Sequence, residues 1–248
     1  MFERQSRLPG RLESRTSRGS ATTEFLTANF GERDLHDTVY VTSNPQLYQN
    51  RELIQPALHA SINVWDEPGW NEEHGTVLPE TVVDHAQRAA QEYSNKRLVV
   101  HFMQPHYPFI DSDTTFDKGH MNGDKAENVW GQLIKGELIV DEDTLWKIYA
   151  DNLDRALPHV KELMKELKGR TVVTADHGNM VGERSFPIPI REWGHPRGIY
   201  TEQLVRVPWL IHDNEPRRDI VAERPETTTK NIEEGKVADR LKNLGYAE

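Results

Sequence analysis

The sequence predicts an α/β fold in which a mostly parallel sheet is flanked by helices. Three observations carry that reading. Short runs rich in β-branched residues alternate with longer segments whose apolar residues recur at helical spacing. The chain has 248 residues and can bury roughly 70–75% of its unfolded surface, enough for a single α/β domain over 1–248. It has no cysteine, so neither a disulfide framework nor a thiolate metal site contributes to stability.

The elements follow in order. Thr38-Val39-Tyr40-Val41-Thr42 is dense in strand-favouring residues and stops at Ser43-Asn44-Pro45, a strand followed by a turn. Residues 79–95 open on Pro79-Glu80 and set Val82, Val83, Ala86, Ala89, Ala90 and Tyr93 at helical spacing. Residues 97–103 form a short apolar run of the kind found in buried parallel strands. Residues 109–140, with Gly119, Gly123, Gly131 and Gly136, read as a long irregular insertion. Residues 141–167 carry an apolar stripe from Leu145 to Leu167 and predict a long amphipathic helix. Pro158 is expected to kink it, and Gly169 suits its C-terminal end. Residues 170–175 read as the next strand. Residues 204–211 read as another, interrupted by Pro208. Residues 213–236 are a polar surface excursion, and 237–244 the last short helix.

Charge narrows the function. Forty acidic residues against 30 basic leave a net charge of -10, which argues against nucleic acid as a partner, since phosphate binding needs a basic face. No stretch approaches the ~20 apolar residues of a membrane span. The N-terminus lacks the apolar core of a secretory signal, so a cytoplasmic setting is expected. Residues 1–18 hold five arginines and two glutamates. This basic N-terminal arm is either a contact for an acidic partner or anionic substrate, or a solvated surface segment.

Polar clusters sit at strand ends, where open α/β sheets place their sites. Asp176-His177-Gly178 follows the strand at 170–175. It offers one oxygen and one nitrogen donor, a pair suited to a divalent cation, with Gly178 allowing a tight turn behind them. His106 lies between Pro105 and Tyr107-Pro108, just after the strand at 97–103. His195 and Arg197 lie in Gly194-His195-Pro196-Arg197-Gly198. There His195 can ligate metal or touch substrate, and Arg197 can hold an oxyanion. Each cluster has a bland alternative, as a strand-ending turn or a proline-stiffened loop.

The segments TVVTADHGNMVGER and EWGHPRGIYTEQLVRVPWLI resemble the C-terminal half of sulfatase-like enzymes in the alkaline phosphatase superfamily. VVHFMQPHYPF resembles that family's H-x-x-x-P-H-x-P segment, and VADRLKNLGY is similar to the last helix of many archaeal members. The resemblance covers roughly residues 97–212 plus the tail. It implies a three-layer α/β/α sandwich, alkaline-phosphatase-like, that hydrolyses sulfate or phosphate esters of small molecules or glycans. It also implies metal ligation by Asp176 and His177, with His195 on a GH motif common in the archaeal branch. His106 would contact the ester oxygens. Arg197 falls where sulfatases carry a Lys that holds the sulfate.

The sequence departs from that pattern near its start. Family members carry C/S-x-P-S-R before a helix, and the nearest stretch here is Ser17 to Thr27. Without cysteine, a Cys-derived formylglycine is impossible and a hydroxyl is left as nucleophile: Thr22 first, Ser20 second. The resemblance also implies an apolar strand ending in a metal-binding Asp. The chain is expected to begin just downstream of it, as an N-terminally truncated member. The expectation is therefore a hydrolase dependent on a divalent metal ion (Mn, Ca or Zn) and catalytically impaired as it stands. The alternative is a non-catalytic or fragmentary relative that binds an anionic ligand or partner.

Overall fold

A computed structural model describes residues 7–66, 68–112, 114, 129–225 and 231–246. The chain runs β1 (Arg11–Thr16), α1 (Thr22–Phe30), β2 (Asp34–Thr42), α2 (Gln46–Gln49), α3 (Arg51–Ile54), β3 (Ala57–Asn63), β4 (Trp70–Asn71), β5 (Thr76–Val77) and α4 (Pro79–Glu92). It continues β6 (Arg97–His101), α5 (Val129–Lys135), α6 (Glu142–Glu166), β7 (Gly169–Thr174), β8 (Met180–Arg184), β9 (Arg191–Gly194), α7 (Glu202–Val205), β10 (Arg206–Asn214) and α8 (Glu234–Asn243). Among the described residues no helix is long and apolar enough to cross a membrane.

The fold is mixed α/β, but its strands do not form one mostly parallel sheet. β3-β2-β6 is a parallel sheet, whereas β1-β10-β7 is antiparallel, and β4-β5 and β8-β9 are small antiparallel pairs. The correction has a physical source. β10 returns beside β7 in the opposite sense, with Trp209 opposite Thr174, and β1 then pairs antiparallel along its other edge.

β2 is the centre of the parallel sheet, and Thr38 to Thr42 are all buried. Its side chains alternate between two faces. Val39 and Val41 join Trp65, Val77 and the α4 residues Val82 and Ala89 on one side. Tyr40 joins Leu26 and Phe30 of α1 on the other. Pro79 at the start of α4 suits a position whose N–H has no helical partner.

α6 covers a face of the antiparallel sheet: Leu153, Leu157 and Met164 meet Leu210 of β10 and Leu8. Asp141 caps it, its carboxylate accepting from Thr144 N at 2.8 Å. The helix assignment runs unbroken through Pro158. β10 likewise runs through Pro208 to Asn214, past the expected interruption. Pro208 withholds one ladder N–H, while its carbonyl accepts from Thr174 Oγ1 at 2.7 Å.

Residues 11–16 of the basic arm form β1, an edge strand on β10. Arg4 lies outside the described residues, as do Gly119 and Gly123 of the 109–140 insertion. The described C-terminal part of that insertion includes a helix, α5. Its Val129 and Leu133 pack with Tyr107, Phe109 and Leu145. Of the 213–236 excursion, 226–230 lie outside the described residues. The last helix starts three residues earlier than expected, at Glu234.

Candidate functional site

The site is assembled from four strand or helix ends. α1 begins at Thr22, immediately after Ala21, which caps without a side-chain hydrogen bond. β7 ends at Thr174 and delivers Asp176 and His177. Thr22 Oγ1 donates to Asp176 Oδ2 at 2.7 Å and lies 3.2 Å from His177 Nε2. Ser17 Oγ donates to the Asp176 carbonyl, tying the approach to α1 onto the same turn.

Gly178 is needed here for space rather than for an unusual backbone angle. Its N–H donates to Leu204 O at 2.6 Å, and a Cβ there would lie 1.9 Å from Gln203 O. The turn after β7 therefore rests directly on the backbone of α7.

β6 ends at His101 and leads to His106. Asn152 of α6, buried, pins that loop. Its Nδ2 donates to the carbonyls of Pro105, His106 and Pro108, and its Oδ1 accepts from Ile110 N. β9 ends at Gly194, whose φ of 75° turns the chain toward His195. The His106 and His195 Nε2 atoms are 3.2 Å apart, and the His177 and His195 ring centroids 4.4 Å apart. Thr22, Asp176, His177, His195 and His106 thus occupy one region.

Ring nitrogens facing away from the site fix tautomers. His106 Nδ1–H donates to Tyr107 O at 2.5 Å, and His177 Nδ1–H to Gly178 O at 2.7 Å. Each leaves Nε2 as the nitrogen turned toward the site, the arrangement that orients histidine for a metal or a proton. The Nε2 atoms of His106 and His195 face each other, the tautomers setting which of them donates.

Ser20 and Arg197 stand elsewhere. The Ser20 N and Oγ both donate to Glu24 Oε2 at 2.8 Å. Arg197 is exposed, and its guanidinium donates to Thr23 Oγ1 at 2.9 Å. It is not among the residues lining the cavity that holds the other five. Glu24 also accepts from Gly198 N at 3.1 Å and Tyr200 Oη at 3.2 Å, so it clips the loop after His195 to α1.

Three neighbours were not chosen from the sequence. His101 Nδ1 meets the Tyr40 hydroxyl at 2.8 Å beneath Asp176. Tyr246 arrives from the far end of the chain. Gly245, with φ 74°, reverses the backbone after α8, and the ring stacks on His106 at 5.0 Å. Asn44 Nδ2 donates to the Tyr246 hydroxyl at 3.3 Å. His101 was legible as the last residue of an apolar strand. Nothing local to Tyr246 marks it as a site residue.

Burial sets the charge state. It opposes ionisation of Asp176, but His177, His101 and the Thr22 hydroxyl outweigh it and hold the carboxyl below its ordinary value. Burial pushes His106 down to about 4, helped by His177 and opposed by the Tyr107 carbonyl. Burial also lowers His101, and takes His195 well below its ordinary value. At neutral pH Asp176 is an ionised carboxylate, and burial disfavours protonation of His101, His106 and His195 around it.

The pH dependence of stability follows. Between about pH 6.5 and 4 the unfolded chain protonates His106 and the folded one does not, so stability falls as pH falls through that window. In chelator-treated protein, urea unfolding should show a loss of about 2 kcal/mol from this residue alone between pH 7 and pH 5. His106→Gln should flatten that slope, and an unchanged slope would contradict the assignment.

Among the described residues no three carboxylate or imidazole groups are already arranged as a metal site. The donors nevertheless fit a divalent cation in kind: the ionised Asp176 carboxylate and imidazole nitrogens of His177, His195 and His106 around it. No protein-family model matches the chain, and no curated protein is similar enough to count as a relative.

Proposed function

We propose that this chain is a sulfatase-like domain of the alkaline-phosphatase type, a metal-dependent hydrolase of sulfate or phosphate esters in which Thr22 is the nucleophile. The observation that carries the reading is the position of the Thr22 hydroxyl. It is hydrogen-bonded to Asp176 and 3.2 Å from His177 Nε2, so its proton already lies on a base. A hydroxyl within reach of a base is the arrangement nucleophilic catalysis requires.

The Thr22 oxygen would bond to the sulfur or phosphorus as the bond to the leaving oxygen breaks, its own proton passing to Asp176 Oδ2, which already accepts it as a hydrogen bond. The leaving oxygen would take its proton from water. Water then attacks the Thr22 ester, releasing sulfate or phosphate and restoring the hydroxyl. Asp176, His177 and His195 would hold the divalent ion (Mn, Ca or Zn), which neutralises the ester's anionic oxygens and lowers the pKa of the hydroxyl. His106, beside His195, would contact those oxygens. Arg197 is assigned no step, because it is engaged with Thr23.

The charge state favours this order of events over simple anion capture. The ionised Asp176 carboxylate, with His101, His106 and His195 held against protonation by burial, disfavours a bare anion until a cation is present. With a single carboxylate among the described donors, the cation is expected to bind modestly and turnover to be low.

Metal-depleted protein reloaded with Mn²⁺, Ca²⁺ or Zn²⁺ and given aryl phosphate and aryl sulfate tests the proposal. Slow turnover that appears only after reloading is expected, with cation binding visible by calorimetry. Absence of both binding and turnover with all three ions would overturn it.

A further inference from the structure

The hairpin that delivers His195 to the site carries an apolar tip at its other end. β8 and β9 are joined by Ser185-Phe186-Pro187-Ile188-Pro189-Ile190. Phe186 is 87% exposed, Ile188 66% and Ile190 57%. None of the three packs into the clusters that make up the core. A single exposed apolar side chain needs no explanation. Three large ones on one turn form a patch of the kind that marks a contact.

The tip has already satisfied most of its own polar groups. Pro187 and Pro189 carry no N–H. Ser185 N–H donates to Ile190 O at 2.9 Å, and Ile190 N–H to Ile188 O at 2.8 Å. Ser185 Oγ donates to Ile188 O at 2.9 Å, and Arg184 Nη1 to Pro189 O at 2.7 Å. A protein partner that docks through backbone hydrogen bonds finds few groups here to pair with. Entry into a medium without hydrogen-bonding partners, by contrast, requires backbone satisfied in this way.

The foot of the tip is cationic. The hairpin register sets Arg184 directly opposite Arg191, both of them exposed. Like charges facing each other across two strands repel, and an anionic group beside them relieves that repulsion. Two carboxylates stand nearby. Glu142 lies 3.1 Å from Arg191, whose side chain stays 57% exposed, and Glu183 is turned back onto the Val181 N–H. Ile139, 93% exposed, shares one shallow hollow with Arg191, so a further apolar side chain stands beside the same cation.

Apolar side chains beyond a pair of arginines match the layers of a phospholipid surface, acyl chains within and phosphates at the boundary. The arginine stems can lie along the apolar layer while the guanidinium groups stay with the phosphates.

We propose that the β8–β9 tip docks the protein on a phospholipid bilayer, Phe186, Ile188 and Ile190 entering the acyl boundary and Arg184 and Arg191 meeting the phosphates. The docking does not rest on the hydrolase reading.

The chain has no cysteine, so Ile188→Cys accepts a single environment-sensitive fluorophore. The labelled full chain, without metal or substrate, is mixed with vesicles of equimolar phosphatidylcholine and phosphatidylglycerol. A blue shift and quenching by a bilayer-embedded quencher are expected. The same label at Leu53→Cys, a comparably exposed position on α3, should report water throughout. In vesicle flotation of unlabelled protein, replacing Phe186, Ile188 and Ile190 together by Ser should weaken binding at least about tenfold, with the unfolding midpoint unchanged. Arg184→Gln combined with Arg191→Gln should weaken it by about tenfold as well. No blue shift at Ile188, or binding undiminished by the three serines, would overturn the proposal. So would a shift that appears without vesicles as protein concentration is raised, which would make a second copy the occupant. Cation binding and turnover are measured separately, so their failure would count against the hydrolase reading alone.

Discussion

Thr22→Ala is expected to reduce metal-stimulated ester turnover on the order of a thousandfold or more, the scale on which removing a nucleophile acts. Thr22 is buried and its hydroxyl is the donor to Asp176 Oδ2 at 2.7 Å. The substitution therefore also strips a hydrogen bond from a buried carboxylate, costing about 1–3 kcal/mol of stability and raising the Asp176 pKa. Thr22→Ser restores both the hydroxyl and the bond, and should keep turnover within about tenfold of the parent. Ser20→Ala separates the two candidate hydroxyls. Ser20 is held by Glu24 and by the Pro196 carbonyl, and its loss should act on the loop after His195 rather than on the chemical step. Turnover that survives Thr22→Ala but not Ser20→Ala would reverse the assignment.

The second large effect is structural. Gly178→Ala should destabilise the protein by roughly 3 kcal/mol. The added methyl would sit 1.9 Å from Gln203 O, and both partners are main chain, so no side chain can swing aside. The turn must lift off the α7–β10 junction, breaking the Gly178 N–Leu204 O bond of 2.6 Å and carrying Asp176 and His177 with it. For a chain of this size a loss of that order lowers Tm by about 6–12 °C. Cation affinity should fall alongside. Thermal unfolding and calorimetry on the purified variant decide the matter, and an unchanged Tm with unchanged affinity would refute the close-contact argument. Gly198→Ala is the matched control for space, since nothing lies within 4 Å of a Cβ there, although its φ of 76° makes it mildly strained.

Some elements were legible because their signals are local. The apolar stripe and cap over 141–167 correspond to a helix at Glu142–Glu166, and the β-branched run at 38–42 to the buried half of β2. The front of that strand, Asp34 to Asp37, has a single apolar residue, Leu35, and no strand signal of its own; pairing of Asp34 and Leu35 with Ala57 and Leu58 of β3 makes it strand. β1 is hidden for the same reason. Arg-Leu-Glu-Ser-Arg-Thr has no β signature of its own and is extended because β10 offers it an edge.

What the sequence determined by itself is the set of chemical groups at strand ends: a carboxylate beside an imidazole after β7, a histidine after β6, another after β9, and a hydroxyl opening α1. Those follow from short-range patterns, in which strand, turn and helix signals fall within a few residues of each reactive group. Tertiary structure alone decided which groups meet. It put Thr22 on Asp176 across 154 residues, turned Arg197 toward Thr23, and brought Tyr246 onto His106 from the end of the chain. It also left β6 and β7 as separate edges instead of neighbours in one sheet. The physical reason is that strand pairing and burial are contracts between distant segments. A residue's own neighbours specify its backbone preference, whereas its partner is set by whichever surface remains to be covered once the rest of the chain has packed.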